Sequence, residues 1–230
     1  FGEAKKERSF LAMATEAPNL AWTTPLILTD RAQDYLIRLT QMNASKDAQQ
    51  LSDLKAKRRQ IHSTVASGKV GSSSLREDEA FQENPALAEI NKQIEELEAK
   101  ISVDRLEFFQ MHLEDQDEML ARDAYDEFAN APYDAVKRLA PKIDHEKLIA
   151  FLNNPEVPSN RRRLYFTMLG VCGTDDDAKM LEEFMVSGDR KKKAGLDALI
   201  SCYLLLNPEE GLEKVEELFF KDQDVEYADT

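Results

Sequence analysis

The residues Leu113-Glu114-Asp115-Gln116-Asp117 return 107 positions later as Phe220-Lys221-Asp222-Gln223-Asp224. Two related segments lie between them, Phe151-Leu152-Asn153-Asn154 and Phe184-Met185-Val186-Ser187-Gly188-Asp189, which divide the span into three intervals of about 36 residues. In each, a large apolar residue is followed by a short polar run. Such a run ends one helix, makes a turn and supplies the Asp, Asn or Ser that caps the next helix. Self-similarity at this period is the signature of stacked helical hairpins, in which each hairpin hides its apolar face against its neighbours.

The flanking segments carry the helical period. Second helices are expected at Leu120–Ala129, Arg161–Val171 and Lys191–Leu206. Their apolar faces are Leu120, Ala124 and Phe128; Leu164, Tyr165, Met168 and Leu169; and Leu196, Leu199, Ile200 and Tyr203. The first helices carry Leu106, Phe109 and Leu113; Leu148, Phe151 and Leu152; and Met180, Leu181 and Phe184. A small extra helix over Tyr133–Leu139 accounts for the longer first interval. In the last unit Val225, Tyr227 and Ala228 open a second helix that stops at Thr230. A solenoid normally closes with a polar capping helix, so the natural polypeptide is expected to continue beyond Thr230.

These units resemble HEAT-like repeats, whose helix-turn-helix carries a turn like N-D-P-D-P before a helix like E-V-R-E-A-A-A-E-A-L-G. The stretch from Asp115-Gln116-Asp117-Glu118-Met119-Leu120 to Asp126-Glu127-Phe128-Ala129 follows that pattern without a gap, and Asn154-Pro155-Glu156 and Met168-Leu169-Gly170 match its two ends. Arg162 and Lys192 fall where the family has its ladder arginine; Ala121 takes that place in the first unit. The resemblance covers residues 103–230, about three and a half repeats, and looks most like uncharacterised bacterial proteins of this type. It implies an all-α fold, a HEAT-like α-α superhelix.

The chain before the repeats divides in two. Residues 1–45 hold an irregular segment with Pro18 and Pro25, then a helix capped by Thr29 or Asp30 with Tyr35, Leu36 and Leu39 on one side. Leu26-Ile27-Leu28 reads equally as a short strand or as a hydrophobic staple. Trp22, the sole tryptophan, is expected to anchor this segment to the core. Residues 46–102 read as an inserted antiparallel helical hairpin. One arm carries Leu51, Leu54, Ile61 and Val65, with Arg58 interrupting the seam. The loop Ser67-Gly68-Lys69-Val70-Gly71-Ser72-Ser73-Ser74 follows, and Asn84-Pro85 opens the second arm with Leu87, Ile90, Ile94, Leu97 and Ile101. Residues 46–76 carry seven basic and two acidic groups, and residues 77–103 two basic and eight acidic, so the arms have opposite charge. So narrow a seam is marginal alone; the hairpin is expected to lie on the body or to pair with another copy.

The formal net charge of -14 disfavours nucleic acid as the main partner, because that binding rests on neutralising phosphates. No apolar run is long enough to span a membrane. Cys172 and Cys202 sit in apolar helical runs and are expected as buried free thiols. None of His62, His112 and His145 lies three or four positions from another histidine or a cysteine. His145-Glu146 invites comparison with the HEAT-like hydroxylases, which bind iron through several such pairs, but this chain has one. Asp175-Asp176-Asp177 fits a helix start, where acids complement the dipole. No phosphate loop, nucleophile elbow or calcium loop is present. No catalytic, cofactor or metal site is therefore assigned.

Two basic clusters remain, Arg161-Arg162-Arg163 and Arg190-Lys191-Lys192-Lys193, which open second helices in adjacent repeats and would lie side by side once the repeats stack. They are either a solvated ridge, with Arg162 and Lys192 bonded to neighbouring turns, or a patch for an anionic partner. The expected function is a non-catalytic protein–protein interaction scaffold, with a protein or peptide partner and self-association through the 46–102 hairpin as a further contact. The alternatives are a HEAT-like ligand binder or enzyme, and a binder of anionic ligands through the two clusters.

Overall fold

A computed structural model describes residues 9–12, 14, 21–67 and 85–221, those from 64 to 67 by their backbone alone. The described chain is mostly helical and divides into two compact units, residues 1–101 and 102–230. The loop after Ser67, the Asn84 cap, the fourth anchor at Asp222-Gln223-Asp224 and the helix at Val225, Tyr227 and Ala228 lie outside the described residues.

In the first unit, β1 (Ser9–Leu11) pairs antiparallel with β2 (Leu26–Leu28), with Phe10 opposite Ile27. The Leu26–Leu28 segment is thus a strand. An isolated bridge joins Ala14 to Trp22. The expectation for Trp22 is corrected: the residue is 66% exposed, and Phe10 and Ile27 on the paired strands are exposed as well. A two-stranded ribbon has no interior of its own in which such a ring could be buried. Helix α1 (Asp30–Asn43) begins where the Thr29 side chain accepts the Ala32 N–H, and it buries Ala32 and Tyr35.

Helix α2 (Lys46–Ser67) and helix α3 (Pro85–Gln110) carry the two arms, with Leu54, Leu87 and Ile94 buried. Arg58 takes its place on the less exposed side of α2 with Leu51 and Ile61. Its long apolar stem fits a half-buried seam while the guanidinium reaches water. Ion pairs join the arms, Lys55 to Glu98 at 2.7 Å and Lys100 to Asp47 at 2.6 Å. Both are exposed, so they select the pairing more than they stabilise it.

The second unit takes up the last turns of α3, with Leu106, Phe108 and Phe109 buried. It continues through α4 (Glu118–Asn130), α5 (Tyr133–Leu139), a 3-10 turn at Ala140–Lys142, α6 (His145–Asn153), α7 (Ser159–Cys172), α8 (Asp175–Val186), α9 (Arg190–Lys193), α10 (Leu196–Leu206) and α11 (Gly211–Glu216), closing on a π turn at Glu217–Lys221. Asp117, Asp144 and Asp189 cap α4, α6 and α9 by accepting the N–H of Met119, Lys147 and Lys191. Helix α7 is the hub: it packs against α4, α5, α6 and α10, and α10 packs in turn against α8 and α11. Tyr165, Phe166 and Leu169 of α7 and Leu199 of α10 are fully buried.

Two glycines set the α7–α10 approach. A Cβ at Gly170 would lie 3.0 Å from Leu205 Cδ1, and one at Gly173 would lie 2.8 Å from Leu206 Cδ1. The third second helix, expected unbroken over Lys191–Leu206, is corrected to α9 and α10. Ala194 turns extended and Gly195 adopts the left-handed conformation, with φ at 80°. Glycine alone takes that conformation without steric cost.

Candidate functional site

The two basic clusters meet through Arg162. Its side chain is fully buried, and each guanidinium nitrogen donates to a main-chain carbonyl: Nε to Ala194 at 3.2 Å, Nη1 to Leu152 at 2.6 Å and Nη2 to Lys192 at 3.0 Å. The helix break makes this possible. In an unbroken helix the Lys192 carbonyl would accept the N–H four residues on, whereas the left-handed Gly195 leaves it for the guanidinium. Arg162 thereby ties the end of α6 to the turn between α9 and α10. Its charge rests over two rings, 5.3 Å from the Phe166 centroid and 5.8 Å from that of Phe184. Burial holds the Arg162 pKa below the usual arginine value, an effect only partly offset by Asp189.

Arg161 is drawn the other way. Nη1 donates to Glu114 at 3.1 Å and Nη2 to Glu118 at 2.7 Å. Burial opposes its charge, but the two glutamates outweigh burial and raise its pKa. Glu114 also accepts from the Tyr165 hydroxyl at 2.6 Å. Burial first, then that bond to a carboxylate, push the Tyr165 hydroxyl far above the ordinary phenol range. The turn holding Glu114 is strained, with φ at 54° on a residue that has a Cβ. The strain persists because Arg161 and Tyr165 of α7 fix the carboxylate.

Of the remaining cations, Arg163 donates to Asp197 at 2.9 Å and Lys191 to Glu156 at 2.8 Å. The Lys192 ammonium stands 5.8 Å from the centroid of Phe184. Lys193 is half-buried and Arg190 is exposed on α9. Thus Arg161, Arg162, Arg163 and Lys191 are each engaged by carboxylates or carbonyls of the chain itself. The face they form is smaller than the sequence clusters suggest. What stays open there is a cleft of about 90 Å³ between the α6–α7 turn and α9, lined by Leu152, Asn153, Pro155, Arg162, Phe184, Asp189, Lys191 and Lys192.

A second, wider cleft of about 390 Å³ lies between α8, the end of α10 and α11. Its walls are Glu182, Tyr203, Asn207, Glu210, Glu213, Lys214 and Glu217, with Lys214 paired to Glu182 at 2.9 Å.

His145 serves a junction. Its Nε2 lies 2.9 Å from Asp177 Oδ2, the same oxygen that accepts from the Thr174 N–H and hydroxyl at 2.7 and 2.9 Å. Burial opposes ionisation of Asp177, yet the His145 and Thr174 bonds prevail and hold its carboxyl below the usual range. Cys172 is half-buried and Cys202 buried, both as free thiols. Burial pushes them up to about 11 and about 12. Among the described residues no group of three or more His, Cys, Asp or Glu is placed to hold a metal ion. No described helix is long and apolar enough to cross a membrane.

The Glu114–Arg161–Tyr165 constellation was not singled out by sequence. Tyr165 stands on an apolar helix face and Glu114 in a polar turn, and 51 positions separate them. A search for tyrosines on apolar helix faces opposite acidic turns earlier in the chain would have found the pair. No known family model, curated protein or solved structure matches the chain.

Proposed function

We propose that this chain is a non-catalytic protein–protein interaction scaffold built on HEAT-like repeats. The observation that carries the reading is the side-by-side run of α4, α7 and α10, bridged from one turn to the next by Arg162 and Arg161. Helices repeated in this way build a continuous core from neighbours alone and leave a row of turns facing outward. Large apolar side chains lie along these edges: Met111 and Met119 beside the first turn, Val186 at the end of α8, and Leu212 on α11. Rows of this kind bind partners over many weak contacts, with exposed apolar residues as anchors.

The test is affinity capture by the full chain, followed by hydrogen exchange on the chain with the recovered protein added. The expected footprint covers at least two successive turns, 111–119 and 186–193. A variant with both Met119→Glu and Val186→Glu is expected to lose the partner while its melting temperature stays unchanged. Recovery of the same proteins by wild type and variant would sink the reading.

A further inference from the structure

We propose that the cleft between the α6–α7 turn and α9 is a subsite for one side-chain carboxylate, presented by an acidic peptide of the partner. The inference rests on the scaffold reading and gives it a chemical preference.

The argument starts from Arg162. A buried guanidinium normally meets a carboxylate, because taking a charge out of water is costly and an opposite charge offsets it best. Here all three nitrogens donate to carbonyls, which are dipoles without net charge. Three of five N–H donors are thereby placed. Phe184 receives a second cation, Lys192, at the same 5.8 Å distance as Arg162. Two positive groups are thus held on one ring at the cleft. The one carboxylate in its lining, Asp189, turns Oδ1 to cap the Lys191 N–H at 2.9 Å. The remaining cation of the lining, Lys191, is paired with an exposed glutamate, Glu156. That pair is a surface one that an entering acid can exchange with at little cost. Asp189 keeps its charge as a cap, so Arg162, Lys191 and Lys192 against Asp189 and Glu156 leave one positive charge in excess at the cleft, in a chain whose net charge is -14.

The lining decides which anion: a side-chain acid brings methylene groups with it, and inorganic phosphate brings none. Leu152 and Pro155 supply an apolar edge for the methylene groups behind the acid.

The experiment is a titration of the full chain, followed by nitrogen-15 chemical shifts, with an end-blocked hexaglutamate peptide. Inorganic phosphate at matched ionic strength is the second arm. Saturable shifts at 152–155 and 189–192 are expected from the peptide. Lys192→Ala is expected to weaken binding about tenfold, the loss of one charge-assisted bond, while Lys193→Ala, outside the lining, leaves it within about twofold. The proposal is overturned by three results: no saturable peptide binding, equal losses in the two variants, or phosphate binding more tightly than the peptide. The scaffold reading fails separately. A recovered partner that binds wild type and Lys192→Ala equally keeps the scaffold and removes the subsite. Peptide binding in a chain that recovers no partner does the reverse.

Discussion

Arg162 is the side chain on which two turns depend. Removing it leaves the Leu152 carbonyl without its donor in the interior and takes the donor from the part-buried carbonyls of Lys192 and Ala194. Arg162→Ala is therefore expected to cost about 2–3 kcal/mol in urea unfolding, from roughly 1 kcal/mol or more for the buried acceptor and less for each acceptor that water can reach, together with the lost packing on Phe166 and Phe184. Arg163→Ala, which loses only an exposed pair with Asp197, is expected to cost under about 1 kcal/mol. Asp177 gives a pH signature. Its carboxyl is held below the usual range in the folded chain, so the folded state binds this proton less readily than the unfolded one. The stabilisation is present in full above the ordinary aspartate pKa and is lost as pH falls through the lower, folded value. A stability profile from pH 6 to pH 2 should show this loss, and Asp177→Asn should flatten it. The thiols report burial directly. At pH 8 a disulfide reagent is expected to leave Cys202 unmodified until the chain unfolds, because burial keeps its thiolate scarce.

The break between α9 and α10 is the feature of element scale with the widest effect. Gly195→Ala forces a Cβ into the left-handed region and to within 3.1 Å of Arg163 Cγ. The expected loss is about 1–2 kcal/mol by thermal unfolding. If α9 and α10 instead fused, the Lys192 carbonyl would return to the helix ladder and Arg162 would lose an acceptor, so relaxation offers no escape. Gly173→Val is expected to cost about 1–3 kcal/mol, because its Cβ would press both on the Leu169 carbonyl, at 2.7 Å, and on Leu206 of α10, at 2.8 Å. The helices themselves were largely readable: apolar spacing and capping residues placed α5 on its observed bounds and α4 and α7 to within two residues at each end, and the apolar faces read for two of the first helices fall within α6 and α8. The break was not, because Arg190-Lys191-Lys192-Lys193-Ala194 has good helix propensity and Gly195 alone does not say that a distant guanidinium needs a carbonyl there. Trp22 misled for a related reason: a large ring is usually core, but burial needs a second layer, and layers are not written in a local stretch. The basic clusters were readable as charge and not as a face, because their partners Glu114, Glu156 and Asp197 come from turns and helices more than thirty positions away.

At the scale of the whole molecule, charge sets the conditions under which all this is observed. With a net charge of -14, long-range self-repulsion opposes compaction, and the exposed ion pairs return little of it. Raising sodium chloride from about 0.02 M to 0.3 M shortens the screening length from roughly 20 Å to 6 Å. The melting temperature is expected to rise by a few degrees, and a fall would mean that the exposed pairs outweigh the repulsion. How the unfolding is followed matters as well. The indole of Trp22 is two-thirds open to water on a ribbon of the first unit. Its emission in the native protein should already lie near that of free indole, and collisional quenchers should reach it readily. Loss of the helices will thus leave the fluorescence colour almost unchanged, whereas any molecule that settles on the ribbon will shift it toward the blue. The single tryptophan is a poor thermometer for this protein and a ready-made optical detector of contact.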